Sequence, residues 1–250
     1  MTVTIKTPEE IKKLRQGGKI LAKILKKLGA AAKPGVSTMD LEELSKKLMA
    51  EYKVKPSFFG FGEPAFPATI CASNNEGIVH CIPNETKLKD GDILGIDCGI
   101  WHEGLCTDAA ITVGIGKISA EAKQLMEVTK KSLTLAIKQI KPGNTVGDIG
   151  YAVQSYVDKF GYGIVRGLVG HGVGYEVHEE PRIPNFGKPN TGEVLKEGMV
   201  IAVEPMITLG DYAFDVLENG WDIVTKDRSL AAHFEHTIAV TKRGCEVLTK

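Results

Sequence analysis

The sequence predicts an α+β fold made of two related halves, each with helices laid over antiparallel strands. Three observations carry this. The stretch Leu88-Lys-Asp-Gly-Asp-Ile-Leu-Gly-Ile-Asp97 has a second version in Leu195-Lys-Glu-Gly-Met-Val-Ile-Ala-Val-Glu204, and in both an apolar run closes on a carboxylate. The stretch Lys33-Pro-Gly-Val-Ser37-Thr-Met-Asp40 has a near-copy in Lys141-Pro-Gly-Asn-Thr145-Val-Gly-Asp148. The two pairs share almost one offset: Lys141 lies 108 positions after Lys33, and Glu204 lies 107 after Asp97. A two-fold internal repeat follows, with halves of about 8–116 and 117–250 in one domain.

The elements can be justified in chain order. Thr7, Pro8 and Glu10 form a capping box with proline in the first turn. Apolar residues then recur at helical spacing at Ile11, Leu14, Leu21, Ile24, Leu25 and Leu28, so the first helix should end near Gly29 or by Pro34. Lysines fill its other face, which reads most simply as solvated and leaves a docking surface as the alternative. Ser37 and Asp40 open a second helix with Leu41, Leu44 and Leu48 inward, Ser119 a third, and Thr145 with Asp148 a fourth. Phe58-Phe-Gly-Phe61 and Phe66-Pro-Ala-Thr-Ile-Cys71 read as core strands in preference to the walls of an apolar pocket. Between Asp97 and Asp108 the segment Gly99 to Gly104 should turn back and form a hairpin. The glycines around His171 lack the order of a phosphate loop and suit close backbone approach at a site.

Composition bounds the function. The chain has 250 residues, 43% of them apolar, and 31 basic residues balance 31 acidic ones, which argues against nucleic acid as a substrate. No apolar run reaches the ~20 residues of a membrane helix, and the amino terminus has no signal-like apolar core. The five cysteines (Cys71, Cys81, Cys98, Cys106, Cys245) contain no Cys-x-x-Cys pair and read as reduced thiols of a cytoplasmic protein.

The acids carry the chemistry. Asp97 and Glu204 close apolar runs, and Asp108-Ala-Ala-Ile-Thr-Val113 has a partner in Glu235-His-Thr-Ile-Ala-Val240. Each acid alone could be a carboxylate at a strand end. Four together in strand-like sequence, without a neighbouring lysine or arginine, need another source of positive charge. With His171 as the nitrogen donor they suit two divalent ions such as manganese, iron, cobalt or zinc. Metal-assisted hydrolysis is the implied reaction. His80 and His178 are each open between a core and a catalytic role, whereas His102, His233 and His236 read as structural. Strand alternation should point His236 away from Glu235.

The order Asp97, Asp108, His171, Glu204, Glu235 resembles the ligand series of the methionine aminopeptidases and the wider pita-bread family. The motifs Asn75-Glu-Gly-Ile-Val-His80-Cys-Ile-Pro83, Gly170-His-Gly-Val-Gly-Tyr-Glu-Val-His178-Glu-Glu-Pro181 and Asp227-Arg-Ser-Leu-Ala-Ala-His-Phe-Glu235-His-Thr237 carry the resemblance, which spans the chain and is similar to the short bacterial type I form. It implies a pita-bread fold and a monomer that removes the initiator methionine from nascent chains when the second residue is small. It also implies that Asp97 chelates one ion, that His171 and Glu204 bind the other, and that Asp108 and Glu235 bridge both. Glu204 would shuttle protons, His178 would polarise the scissile carbonyl, and His80 would meet the peptide nitrogen. Phe59, Phe66, Cys71 and Trp221 would wall the methionine pocket. Asn74, Cys81, Cys106-Thr107 and Val177 depart from the family's usual residues and bear on pocket shape rather than on the ligands. The rivals on the same scaffold are a proline-specific aminopeptidase or dipeptidase and a non-catalytic binding protein. A two-metal phosphoesterase is disfavoured by the lack of a basic phosphate cradle.

Overall fold

Four helices start where their caps place them. The computed structural model describes residues 2–250 and contains α1 (Pro8–Ala31), α2 (Thr38–Tyr52), α3 (Ala120–Ile137) and α4 (Val146–Val157). Thr7 with Glu10, Ser37 with Asp40 and Thr145 with Asp148 form complete capping boxes, and Ser119 accepts the Ala122 N–H. Each satisfies backbone donors that the first helical turn leaves without partners. Helix α1 runs past Gly29. Its buried face holds Leu14, Leu21, Ile24, Leu25 and Leu28, each contributing roughly 1.5–3 kcal/mol by leaving water. Gly18 is required there because a Cβ would collide with the Leu248 carbonyl, where the carboxy-terminal segment crosses the helix. On the lysine face of α1, Lys12, Lys13 and Lys27 pair with Glu9, Glu103 and Glu51.

The strands are β1 (Lys55–Pro56), β2 (Ile70–Asn74), β3 (Gly77–Val79), β4 (Ile93–His102), β5 (Leu105–Gly114), β6 (Gly163–Ile164), β7 (Gly170–Gly172), β8 (Glu179–Ile183), β9 (Val200–Val203), β10 (Met206–Thr208), β11 (Phe214–Val216), β12 (Ile223–Thr225), β13 (Ala231–His233), β14 (His236–Thr241) and β15 (Gly244–Val247). In the first half, β1-β4-β2 form one sheet with β5 on β4. In the second, β15-β14-β9-β7-β8 form another, and two three-stranded sheets (β13-β10-β6 and β11-β12-β3) flank them. Every pairing among the described residues is antiparallel. Helices α1 and α2 share a core with β2, β4 and β5, while α3 and α4 share one with β9, β10 and β14.

Paired contacts join the halves along the line where the acids lie. The Glu235 N–H donates to the Ala110 carbonyl at 2.9 Å and the Ala110 N–H donates back at 3.4 Å. The Thr237 hydroxyl accepts the Asp108 N–H and donates to the Asp108 carbonyl. The Thr112 hydroxyl does the same for His233. Matching backbone bridges, Ser37 to Lys87 and Thr145 to Val194, recur outside the sheets.

One expectation fails here. Phe58–Phe61 is a turn closed by the Phe61 N–H on the Phe58 carbonyl, and strand geometry begins only at Ile70. Gly60 and Gly62, both at positive φ, favour the turn over an extended run.

Candidate metal centre

The hairpin of β4 and β5 sets the first two acids. Asp97 stands opposite Ala110, and Asp108 stands opposite Gly99. They are therefore diagonal neighbours on one face of the sheet. Glu204 follows the last residue of β9, and Glu235 lies between β13 and β14, one step beyond the His236–Val203 pair. His171 sits in the middle of β7 opposite Ala202, two residues before Glu204. All five donors thus converge from three strands and two strand ends.

Asp108, His171 and Glu235 each present a ligand atom, and these atoms lie within 4.8 Å of one another. Glu204 joins them through its Oε1, 3.4 Å from His171 Nε2. Asp97 lies close enough to Asp108 and Glu204 for their charges to act on it. The acids are withdrawn from bulk solvent: Asp108 is 3% exposed and Glu235 2%. Asp97 Oδ1, Asp108 Oδ1 and Glu235 Oε1 are buried without a hydrogen-bond partner. Such groups are costly unless a partner meets them. A cation satisfies all three at once, so the donor set fits divalent metal.

The electrostatics agree. Burial is the first cause raising Asp97, and the charges of Asp108 and Glu204 add to it. Burial pushes Asp108 up to about 7, and raises Glu204 and Glu235 well above the usual carboxylate range. Mutually repelling carboxylates hold protons until positive charge arrives. Burial takes His171 down to about 3, helped by His178. Its Nδ1 faces the Gly172 carbonyl at 2.9 Å, which selects the Nδ1–H tautomer and leaves Nε2 free to ligate.

Around the acids lies a cavity of about 480 Å³, whose lining includes Phe58, Phe61, Phe66, Cys71, His80, His178 and Trp221. The His178 ring stands edge-on to His171 with centroids 4.3 Å apart. His80 is 6.1 Å from Trp221 and held at positive φ. Burial lowers both imidazoles, His80 to about 4 with help from His178, so both are neutral near pH 7. Phe66 and Trp221 meet edge to face at 5.1 Å. Phe59 is not part of this wall. It occupies the tip of the Phe58–Phe61 turn and is 61% exposed, whereas Phe58 and Phe61 on either side of it face the cavity.

Three further histidines lie where the alternation of strands puts them. His236 turns from the centre to Thr249, with Nδ1 2.9 Å from its hydroxyl. His102 is near Glu103 at the surface. His233, expected to be purely structural, instead points its buried Nε2 at the acids. The available signal was its spacing two residues before Glu235.

The model of metallopeptidase family M24 matches residues 12–242. The chain belongs to this family. Within it the chain is 46% identical to the methionine aminopeptidase of Clostridium acetobutylicum, over 99% of this chain and 98% of that one. The crystal structure of methionine aminopeptidase from Thermotoga maritima superposes with a TM-score of 0.97 at 43% identity, covering both chains fully. The prolidase of Pyrococcus horikoshii shares the M24 fold at 24% identity and a TM-score of 0.80, and this chain covers 63% of it. The family's pita-bread fold is the architecture described above, and its metallopeptidase chemistry accounts for a buried nest of acids beside an apolar cavity. No helix among the described residues is long and apolar enough to cross a membrane.

Proposed function

We propose that this chain removes the amino-terminal methionine from nascent polypeptides whose second residue is small, by hydrolysis at a dinuclear metal centre. The observation that carries the proposal is the convergence of Asp97, Asp108, His171, Glu204 and Glu235 at a cavity lined also by Phe66, Cys71 and Trp221. Kinship with methionine aminopeptidases supports the substrate. A thioether suits an apolar, polarisable slot of aromatic rings and sulfur.

In this reading Asp97 would hold one ion, His171 and Glu204 would hold the other, and Asp108 and Glu235 would serve both. Cobalt, manganese, iron or zinc fits such a mixed oxygen and nitrogen set. When bound, the ions supply Lewis acidity and lower the pKa of water towards ~7. His178, neutral and beside His171, donates a hydrogen bond to the scissile carbonyl as negative charge develops on it. His80, across the cavity near Trp221, contacts the peptide nitrogen on the leaving side. Glu204, largely buried with its Oε1 beside His171, takes the proton from the attacking water and passes it to the leaving amine.

The working unit in this reading is a monomer, with one chain supplying the whole donor set. Five free cysteines, four of them buried, support a reducing cytoplasm. The glutamate partners of the α1 lysines support a solvated face over ribosome docking.

The test is hydrolysis of Met-Ala-Ser against Xaa-Pro peptides, with the metal-free protein reloaded with each of the four metals. Cleavage after methionine alone supports the proposal. Preference for Xaa-Pro substrates, or activity without metal, overturns it.

A further inference from the structure

His233 is 3% exposed, and its Nε2 is buried with no hydrogen-bond partner. That atom lies 3.9 Å from Glu204 Oε2 and 4.0 Å from Glu235 Oε2. Glu204 Oε1 is 3.4 Å from His171 Nε2. The two oxygens of Glu204 are therefore each faced by a different imidazole. The backbone of His233 cannot drift, because the Thr112 hydroxyl accepts its N–H at 3.0 Å and donates to its carbonyl at 2.7 Å. Its neighbour across β10 is Met206, two residues after Glu204. The ring thus reaches from a fixed strand end towards the oxygen of Glu204 that His171 does not face, about 1 Å beyond hydrogen-bond length.

A buried nitrogen aimed at two acids with nothing else to bond is not explained by packing. An apolar side chain would fill the space without stranding a polar atom. We propose that His233 is a positioning residue of the centre, whose Nε2–H takes Glu204 Oε2 and thereby presents Oε1 to the metal on the His171 side. A carboxylate free to rotate would offer either oxygen, or both. One held at Oε2 offers a single oxygen in one orientation, which a shared proton-handling ligand requires. His233 touches neither ion nor substrate. It acts through Glu204.

This inference rests on the dinuclear reading above, and the test separates the two. The metal-free wild type, His233→Leu and His233→Gln are titrated with Mn2+ by calorimetry, and kcat and KM for Met-Ala-Ser are measured on the reloaded proteins. In His233→Leu we expect Mn2+ affinity and kcat to fall by about 10–100-fold, with KM little changed. His233→Gln, which returns a donor N–H at similar reach, should recover most of both. Nitrogen-15 NMR of the metal-free wild type should show His233 as the Nε2–H tautomer, a readout that needs no variant to fold. Wild-type binding of Mn2+ with an unaffected His233→Leu overturns the role of His233 alone. So does a His233→Gln as impaired as the leucine variant, or an Nδ1–H tautomer. A wild type that takes up no Mn2+ overturns the centre itself, and the role with it.

Discussion

The two halves deliver their acids differently. In the first, Asp97 and Asp108 sit inside β4 and β5, each ten residues long and paired without interruption from Ile93–Gly114 to His102–Leu105. In the second, Glu204 and Glu235 sit at strand ends, after the four-residue β9 and in the gap before β14. A continuous ladder fixes a side chain by register alone. A carboxylate at a strand end has less of that constraint: Glu235 keeps one reciprocal backbone pair with Ala110, and Glu204 depends on side-chain partners to aim it. Most of the site histidines follow the same division: His171, His178 and His233 come from the second half, and His80 alone from the first. The first half therefore provides a rigid floor, and the second provides adjustable groups held by local hydrogen bonds.

Breaking the shared ligand set should have the largest effect. Glu235→Ala and His171→Ala should each lower hydrolysis by more than about 10³-fold, since each removes a donor to the charge that stabilises the transition state. Circular dichroism should show both folded. Near-normal turnover in either would break the assignment of these residues to the centre.

A smaller loss is expected from the adjustable side of the cavity. His178→Ala should lower kcat by about 10²-fold by removing one hydrogen-bond donor to the developing oxyanion. Metal stoichiometry, measured by elemental analysis, should stay at the wild-type value. A loss of metal would make His178 a ligand instead.

The seam between the halves can be compared directly. Thr237→Val leaves the Asp108 N–H and carbonyl without their hydroxyl, and Thr112→Val does the same to His233. Each orphaned group should cost about 1–3 kcal/mol in denaturant unfolding. If the rigid floor is the better buttressed side, Thr112→Val should disturb Mn2+ affinity more than Thr237→Val.

The pH dependence is the subtlest effect. Asp108 is pushed up to about 7 by burial, so protons compete with metal for it. His171, near 3, is already neutral and adds no slope. Mn2+ affinity of the metal-free protein should therefore rise as pH passes upward through about 7 and go on rising above it as the other raised acids, Asp97, Glu204 and Glu235, lose protons, with protons released on binding. A flat profile in calorimetry across that range would mean that the acids are already ionised.

Much of this was legible in the residues because the relevant signals are local. A capping box needs only Thr7 and Glu10, or Thr145 and Asp148, and all of those expected helix starts form. The hairpin was legible from two apolar runs, but not its turn: β4 runs on through Gly99–His102, so the chain reverses only at Glu103-Gly104 and not over Gly99 to Gly104 as expected. Phe59 was not legible as exposed, because aromatic composition does not say which residue of a turn becomes its tip. His233 shows a different failure. The alternation that correctly turns His236 away from Glu235 also places His233 on the same side as Glu235, and only the first half of that inference follows from the strand itself. The second requires Glu204, which approaches from a strand 29 residues earlier.

The most direct measurement is anomalous diffraction from crystals of the Mn2+-loaded protein. We expect two manganese peaks ~3.5–4 Å apart, bonded among them to Asp97, Asp108, His171, Glu204 and Glu235. Peaks elsewhere, a lone peak at saturating Mn2+, or carboxylates turned outward with no ion between them would contradict a dinuclear centre shared by the two halves.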